Sequence, residues 1–114
     1  MQRDPRAYLW DAREAALAIQ TFTAGMDAAT YATNAMAQSA VERKFEVIGE
    51  ALNQLNKLDA TLAARVPKLA QIVAFRNQLI HGYATVNVGT VWNITQDALP
   101  TLIGALQALL SELE

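Results

Sequence analysis

The chain has 114 residues, 53% of them apolar and 18% charged, with a formal net charge of −2 and an isoelectric point near 5.3. Such a length suits one domain, residues 1–114, with a modest core, and so large an apolar share excludes a disordered chain. Having no cysteine and one histidine, the chain holds no disulfide, no catalytic thiol and no histidine-rich metal site, and its acidic balance is not that of a broad basic nucleic-acid grip.

In chain order, the start "MQRDPRAYLW" has no continuous apolar run of the signal-peptide kind. A first helix is predicted from Asp4 to Thr23, with Pro5 in the first turn and Gly25 marking its end. "DAATYATN" reads as a turn or a broken helical piece. A second helix follows over Ala35 to Lys57, where Val41, Phe45, Ile48, Leu52 and Leu55 recur every three or four residues and draw one apolar stripe. After the short piece "DATLAARV", Pro67 is expected to start a helix through "KLAQIVAFRNQLIH", which Gly82 loosens or stops. "TVNVG" connects it to a last helix over Val88 to Leu113, with Val91, Ile94, Ala98, Leu102, Leu106 and Leu109 facing inward and a bend at Pro100. Trp10 and Trp92 are read as packing residues, and Arg43 and Lys44 as a solvated face that could add local positive charge. "ALPTLIGALQALL" is too short and interrupted to span a bilayer, so a soluble cytoplasmic protein is expected. No segment alternates long enough to make a sheet. The fold class is therefore all-α, a bundle of four to five helices, and its large apolar share points to an oligomer.

One stretch, "FRNQLIHGYA" at residues 75–84, breaks the apolar pattern. At 100° per residue, Leu69, Ile72, Val73, Arg76, Leu79, Ile80 and Tyr83 share one arc, and the charged Arg76 falls near its middle. Arginine is almost never buried without a partner, so Arg76 snorkels, pairs with an acid, or lines a cleft or subunit seam; Glu50 on the second helix is a candidate partner. His81 lies five residues on, roughly 140° around an ideal helix. Only a departure from helix at Gly82, or a second copy of the chain, could bring the two together. Asn77, four residues before His81, shares its face. An imidazole near neutrality moves protons, and a guanidinium holds a phosphate by two hydrogen bonds. The pair suits metal-free phosphodiester chemistry, in which the RNA 2′-hydroxyl serves as nucleophile. Taken alone, the same residues also fit a structural ion pair and a histidine placed for the helix dipole.

"RNQLIHGY" resembles the Arg-x4-His-x-Tyr motif of the HEPN superfamily, in its HepT-like branch. "AVERKFEVIGEALNQL", centred on Ile-Gly-Glu-Ala at Ile48 to Ala51, resembles the branch's second block; "DPRAYLWDAREAALAI" and "VWNITQDALPTL" resemble its first and last helices. The likeness covers nearly the whole chain in order. One departure is that "PKLAQIVAFRN" has no tryptophan after Pro67. The resemblance implies an HEPN-like helical fold and a metal-independent endoribonuclease, the toxin of a two-gene toxin–antitoxin module. It implies no cofactor and a homodimer whose cleft takes RNA between two copies of the motif. Arg76 would stabilise the scissile phosphate, His81 would transfer protons, and Asn77 would orient. Tyr83 matches the tyrosine that a small nucleotidyltransferase antitoxin modifies with AMP. Glu50 is expected to be a buried structural acid. A second reading is a helical dimer without catalysis, which binds a nucleotidyltransferase partner or a nucleotide.

Overall fold

The computed structural model describes residues 3–114. Among them only helices form: α1 (Pro5–Thr23), α2 (Ala28–Ala32), α3 (Ala35–Leu58), α4 (Ala60–Ala63), α5 (Leu69–His81), α6 (Val88–Gln96) and α7 (Ala98–Glu112), with a 3₁₀ turn at Tyr83–Thr85. Five of these are longer than a turn or so, and α2 and α4 are single-turn pieces where broken segments were predicted. Among the described residues no helix is long and apolar enough to cross a membrane.

Local chemistry sets the boundaries. The Asp4 side chain accepts from the Arg6 N–H and Pro5 occupies the first turn, where its missing donor costs nothing. The Arg6 guanidinium and backbone N–H hold the Asp4 carboxyl down at about 2. The cap is therefore in place above the ordinary carboxylate range and is lost only as pH falls towards that lower value. Gly25 follows the end of α1 at φ +78°, a conformation that favours glycine. Asp27 and Thr30 close a capping box on α2, while Asn34, Asp59 and Asn87 cap α3, α4 and α6.

The core lies where α3 meets α1. Val41, Phe45, Ile48, Leu52 and Leu55 of α3 are all buried, as are Leu9, Ala12, Ala16 and Ile19 of α1. Alanine on α1 lets the two helices approach closely, and α3 also carries α5 on its other flank while α7 packs on α1. From α2, Tyr31 reaches in with no exposure and stacks at a tilt on Trp92, ring centroids 5.4 Å apart. Its hydroxyl has no hydrogen-bond partner, and burial, with Glu42 nearby, pushes its pKa up to about 12.

Four expectations change. The last helix is two helices broken at Asp97, because Pro100 has no N–H to offer Gln96, the final residue of α6. The break shifts the register, so Leu99 is buried in place of Ala98, which is exposed. Pro67 does not start α5: Lys68 sits in the left-handed region at φ 57°, and the helix begins at Leu69. Trp10 is not a core residue, being half exposed beside the fully buried Leu9. At about 100° per residue it falls almost opposite the face that Leu9, Ala12, Ala16 and Ile19 bury.

Candidate active site

The arginine of α5 sits where it does because α3 has no side chain at Gly49. A Cβ on Gly49 would stand 2.2 Å from Arg76 Cβ and 2.7 Å from Cγ, so the stem of Arg76 occupies the space that any other residue would fill. One turn earlier, Phe45 and Phe75 meet edge-to-face with ring centroids 5.3 Å apart, which fixes α5 on α3. The family-like Ile-Gly-Glu-Ala block is thus a docking surface for the arginine helix.

With its stem on Gly49, the guanidinium reaches the next residue of α3. Arg76 Nη2 donates to Glu50 Oε2 at 2.6 Å, and Nη1 donates to Asn77 Oδ1 at 2.8 Å. Gln54 Nε2 in turn donates to Glu50 Oε1 at 3.0 Å, making a chain Gln54–Glu50–Arg76–Asn77. The predicted pairing with Glu50 is present. Glu50 is nevertheless not buried, its side chain being 46% exposed against 23% for Arg76; a carboxylate at the mouth of a cleft pays less desolvation than one in a core. Arg76 Nε is enclosed and has no partner.

Of these groups Gln54, Glu50 and Arg76 line a polar cleft of about 230 Å³ between α1, α3 and α5, with Tyr8, Arg43 and Glu46 among its walls. Arg3 spans its rim, paired to Asp11 at 2.8 Å and lying 4.7 Å over the Tyr8 ring. Arg43, exposed on α3, lines the same cleft as Arg76, while Lys44 is not among its walls. Arg3, Arg43 and Arg76 are matched by Asp11, Glu46 and Glu50 on the walls.

The remaining motif residues stand at the end of α5. The helix stays regular through His81, and the chain turns away at Gly82, whose N–H donates to the Gln78 carbonyl at 2.8 Å. His81 is exposed, and Tyr83, first residue of the 3₁₀ turn, is 77% exposed. Because the helix does not break before His81, Arg76 and His81 leave it about 140° apart. The chain by itself brings Arg76 to Asn77 and Glu50, and does not bring it to His81. Asn77 stays four residues before His81 on the unbroken helix, and its Oδ1 accepts from Arg76. Two contributors were missed from the sequence. Gly49 carried a signal in being a glycine inside an otherwise strong helix, which costs stability unless something needs the space. Gln54, four residues after Glu50, carried the usual i, i+4 signal.

On the other flank of α5 an apolar groove of about 310 Å³ runs towards α6 and α7, with Ile48, Ile72, Phe75, Ile94 and Leu102 in its walls. Along α5 only Leu79 is buried, while Ile72, Val73 and Phe75 are half-buried and Ile80 is exposed.

The sequence profile described as "Ribonuclease HepT-like" matches residues 12–109. A protein of Methanocaldococcus jannaschii named "Putative RNase MJ1380" is 33% identical over 101 residues, 89% of this chain and 92% of that protein. The "Probable ribonuclease HepT" of Thermococcus cleftensis is 30% identical over 109 residues, 96% of this chain and 98% of that protein. No solved structure matches the chain at a significant level. With the arginine and histidine of the motif on α5 and its tyrosine in the turn that follows, and the profile matching nearly the whole chain, the protein belongs to the HepT-like ribonuclease family, of HEPN type.

Proposed function

We propose that the protein is a metal-independent endoribonuclease that works as a homodimer, the toxin of a toxin–antitoxin pair whose antitoxin is a small nucleotidyltransferase. The observation that carries this reading is a guanidinium fixed and partly buried on a helix that ends in an exposed histidine, with an exposed tyrosine in the turn beyond, in a chain of ribonuclease family.

In the proposed reaction Arg76 donates to a non-bridging phosphate oxygen and stabilises the charge that develops there. One imidazole takes the proton of the RNA 2′-hydroxyl as its oxygen attacks phosphorus, and a second protonates the departing 5′-oxygen. The products are a 2′,3′-cyclic phosphate and a free 5′-hydroxyl. Two His81 side chains are needed and each chain has one, which is the chemical argument for a dimer. The structural support is the partly uncovered apolar flank of α5, which a second copy would cover while bringing its own motif near. Purified protein incubated with RNA in EDTA is expected to cut it and leave cyclic phosphate ends. Intact RNA, with tight binding of the nucleotidyltransferase, would favour the second reading, a dimer without catalysis, towards which the charge-balanced cleft leans.

Tyr83 suits modification because most of its surface is open. Transfer of AMP to its phenol would set a phosphate and an adenosine two residues from His81, adding negative charge where the RNA phosphate must approach. Coexpression with the neighbouring nucleotidyltransferase is expected to give a mass increase of one AMP or more on the peptide containing Tyr83, absent from Tyr83→Phe. An unmodified peptide from a neutralised complex would mean that the antitoxin acts by binding alone.

A further inference from the structure

The Glu50 carboxylate has three features that a merely structural ion pair does not require together. It is half exposed at the mouth of the polar cleft, it is itself oriented by Gln54, and it grips the Arg76 guanidinium at 2.6 Å. With its carboxylate half exposed to solvent, the pair is screened on one side and adds only modestly to stability. The guanidinium also keeps an enclosed, unpaired Nε, an arrangement that favours one fixed orientation over full hydrogen-bond satisfaction.

We infer that Glu50 is the positioning residue of the ribonuclease reaction, holding the Arg76 fork in the orientation that meets the scissile phosphate, with Gln54 steadying Glu50. This rests on the ribonuclease reading given above. The rival role, a latch that withholds Arg76 until RNA displaces the carboxylate, needs a head that can swing away. Arg76 cannot swing freely, because its Cβ and Cγ are seated against Gly49 and its Nε is closed in. Only the outer nitrogens are adjustable. Glu50 and Asn77 take one hydrogen bond from each, and each amino nitrogen has a second N–H left for phosphate oxygens. A carboxylate so near the phosphate repels it, so Glu50 weakens substrate binding while it orders the group that stabilises the transition state.

The test uses full-length protein and three variants, Glu50→Ala, Glu50→Gln and Gln54→Ala, in two measurements. The first is the nitrogen-15 NMR signature of the Arg76 guanidinium, whose slow rotation reports whether it is held. Restricted rotation is expected in the parent and in Glu50→Gln, which keeps an acceptor oxygen, and free rotation in Glu50→Ala. The second is steady-state RNA cleavage. Glu50→Ala is expected to lower kcat by about 10- to 100-fold, the order that a small misplacement of a catalytic group costs. Glu50→Gln should recover most of kcat and lower KM, having removed the repelling charge, and Gln54→Ala should fall between. The inference is overturned if Glu50→Ala keeps or exceeds the parent kcat, if Glu50→Gln is as slow as Glu50→Ala, or if Arg76 rotation is the same in all proteins. A parent that cuts no RNA would bring down the ribonuclease reading, while the NMR measurement still decides whether Glu50 holds the arginine.

Discussion

Replacing His81 by alanine is expected to lower RNA cleavage in EDTA by about 10²- to 10⁴-fold, the usual contribution of a positioned proton-transfer group, and to abolish growth inhibition. The fold should survive, because His81 is exposed at the end of α5. Arg76→Ala is expected to cost about 10²- to 10³-fold in kcat through lost stabilisation of the phosphate. Arg76→Lys should recover little, since an ammonium cannot reproduce the fork that engages Glu50 and Asn77 together. Circular dichroism melts of the same samples separate a dead enzyme from an unfolded one. A folded His81→Ala protein that cuts at the parent rate would remove the imidazole from the mechanism.

A loss of stability and activity together is expected from Gly49→Ala, a change that looks harmless in a helix. Alanine has the higher helix propensity, worth about 1 kcal/mol in a helix interior. Here its methyl carbon would lie 2.2 Å from Arg76 Cβ, 2.7 Å from Cγ and 3.4 Å from the Ile72 carbonyl oxygen. The atoms in the way are the base of a side chain next to its own backbone, so α5 must move bodily off α3. Overpacking of that order costs about 1–3 kcal/mol or more, and the displacement also carries Arg76 away from Glu50 and loosens the Phe45–Phe75 contact. Net destabilisation and a fall in Tm of several degrees are expected, with cleavage reduced beyond what the stability change explains. A Gly49→Ala protein that melts higher and cuts normally would mean that the close approach of the two helices is not a feature of the protein in solution.

Much of the fold was legible because helices declare themselves locally. The α3 stripe from Val41 to Leu55 is buried as its spacing requires, and Asp4–Pro5 and Gly25 bound α1 as capping chemistry predicts. Where two local signals competed, the sequence reading faltered. The sequence reads Pro100 as a bend, whereas the chain ends α6 at Gln96 and restarts as α7, which moves burial from Ala98 to Leu99. It reads Pro67 as a start, but the left-handed Lys68 intervenes. Helical spacing reads Trp10 as a packing residue, and spacing alone does not say which face of α1 finds a neighbour.

The chemistry of the candidate site was written in its residues: an arginine on an apolar stripe, an acid on the neighbouring helix, and a lone histidine and a tyrosine beyond. Residue types and helical spacing settle such matters, because they depend on side-chain chemistry and on a repeat of 3.6 residues per turn. What only the tertiary structure decided is which groups meet. The missing side chain at Gly49 brings α5 down onto α3, so that Arg76 meets Glu50 and Asn77 at hydrogen-bond distance while His81 stays apart on an unbroken helix. A contact between two helices depends on how closely their backbones approach, and neither helix's own periodicity encodes that distance.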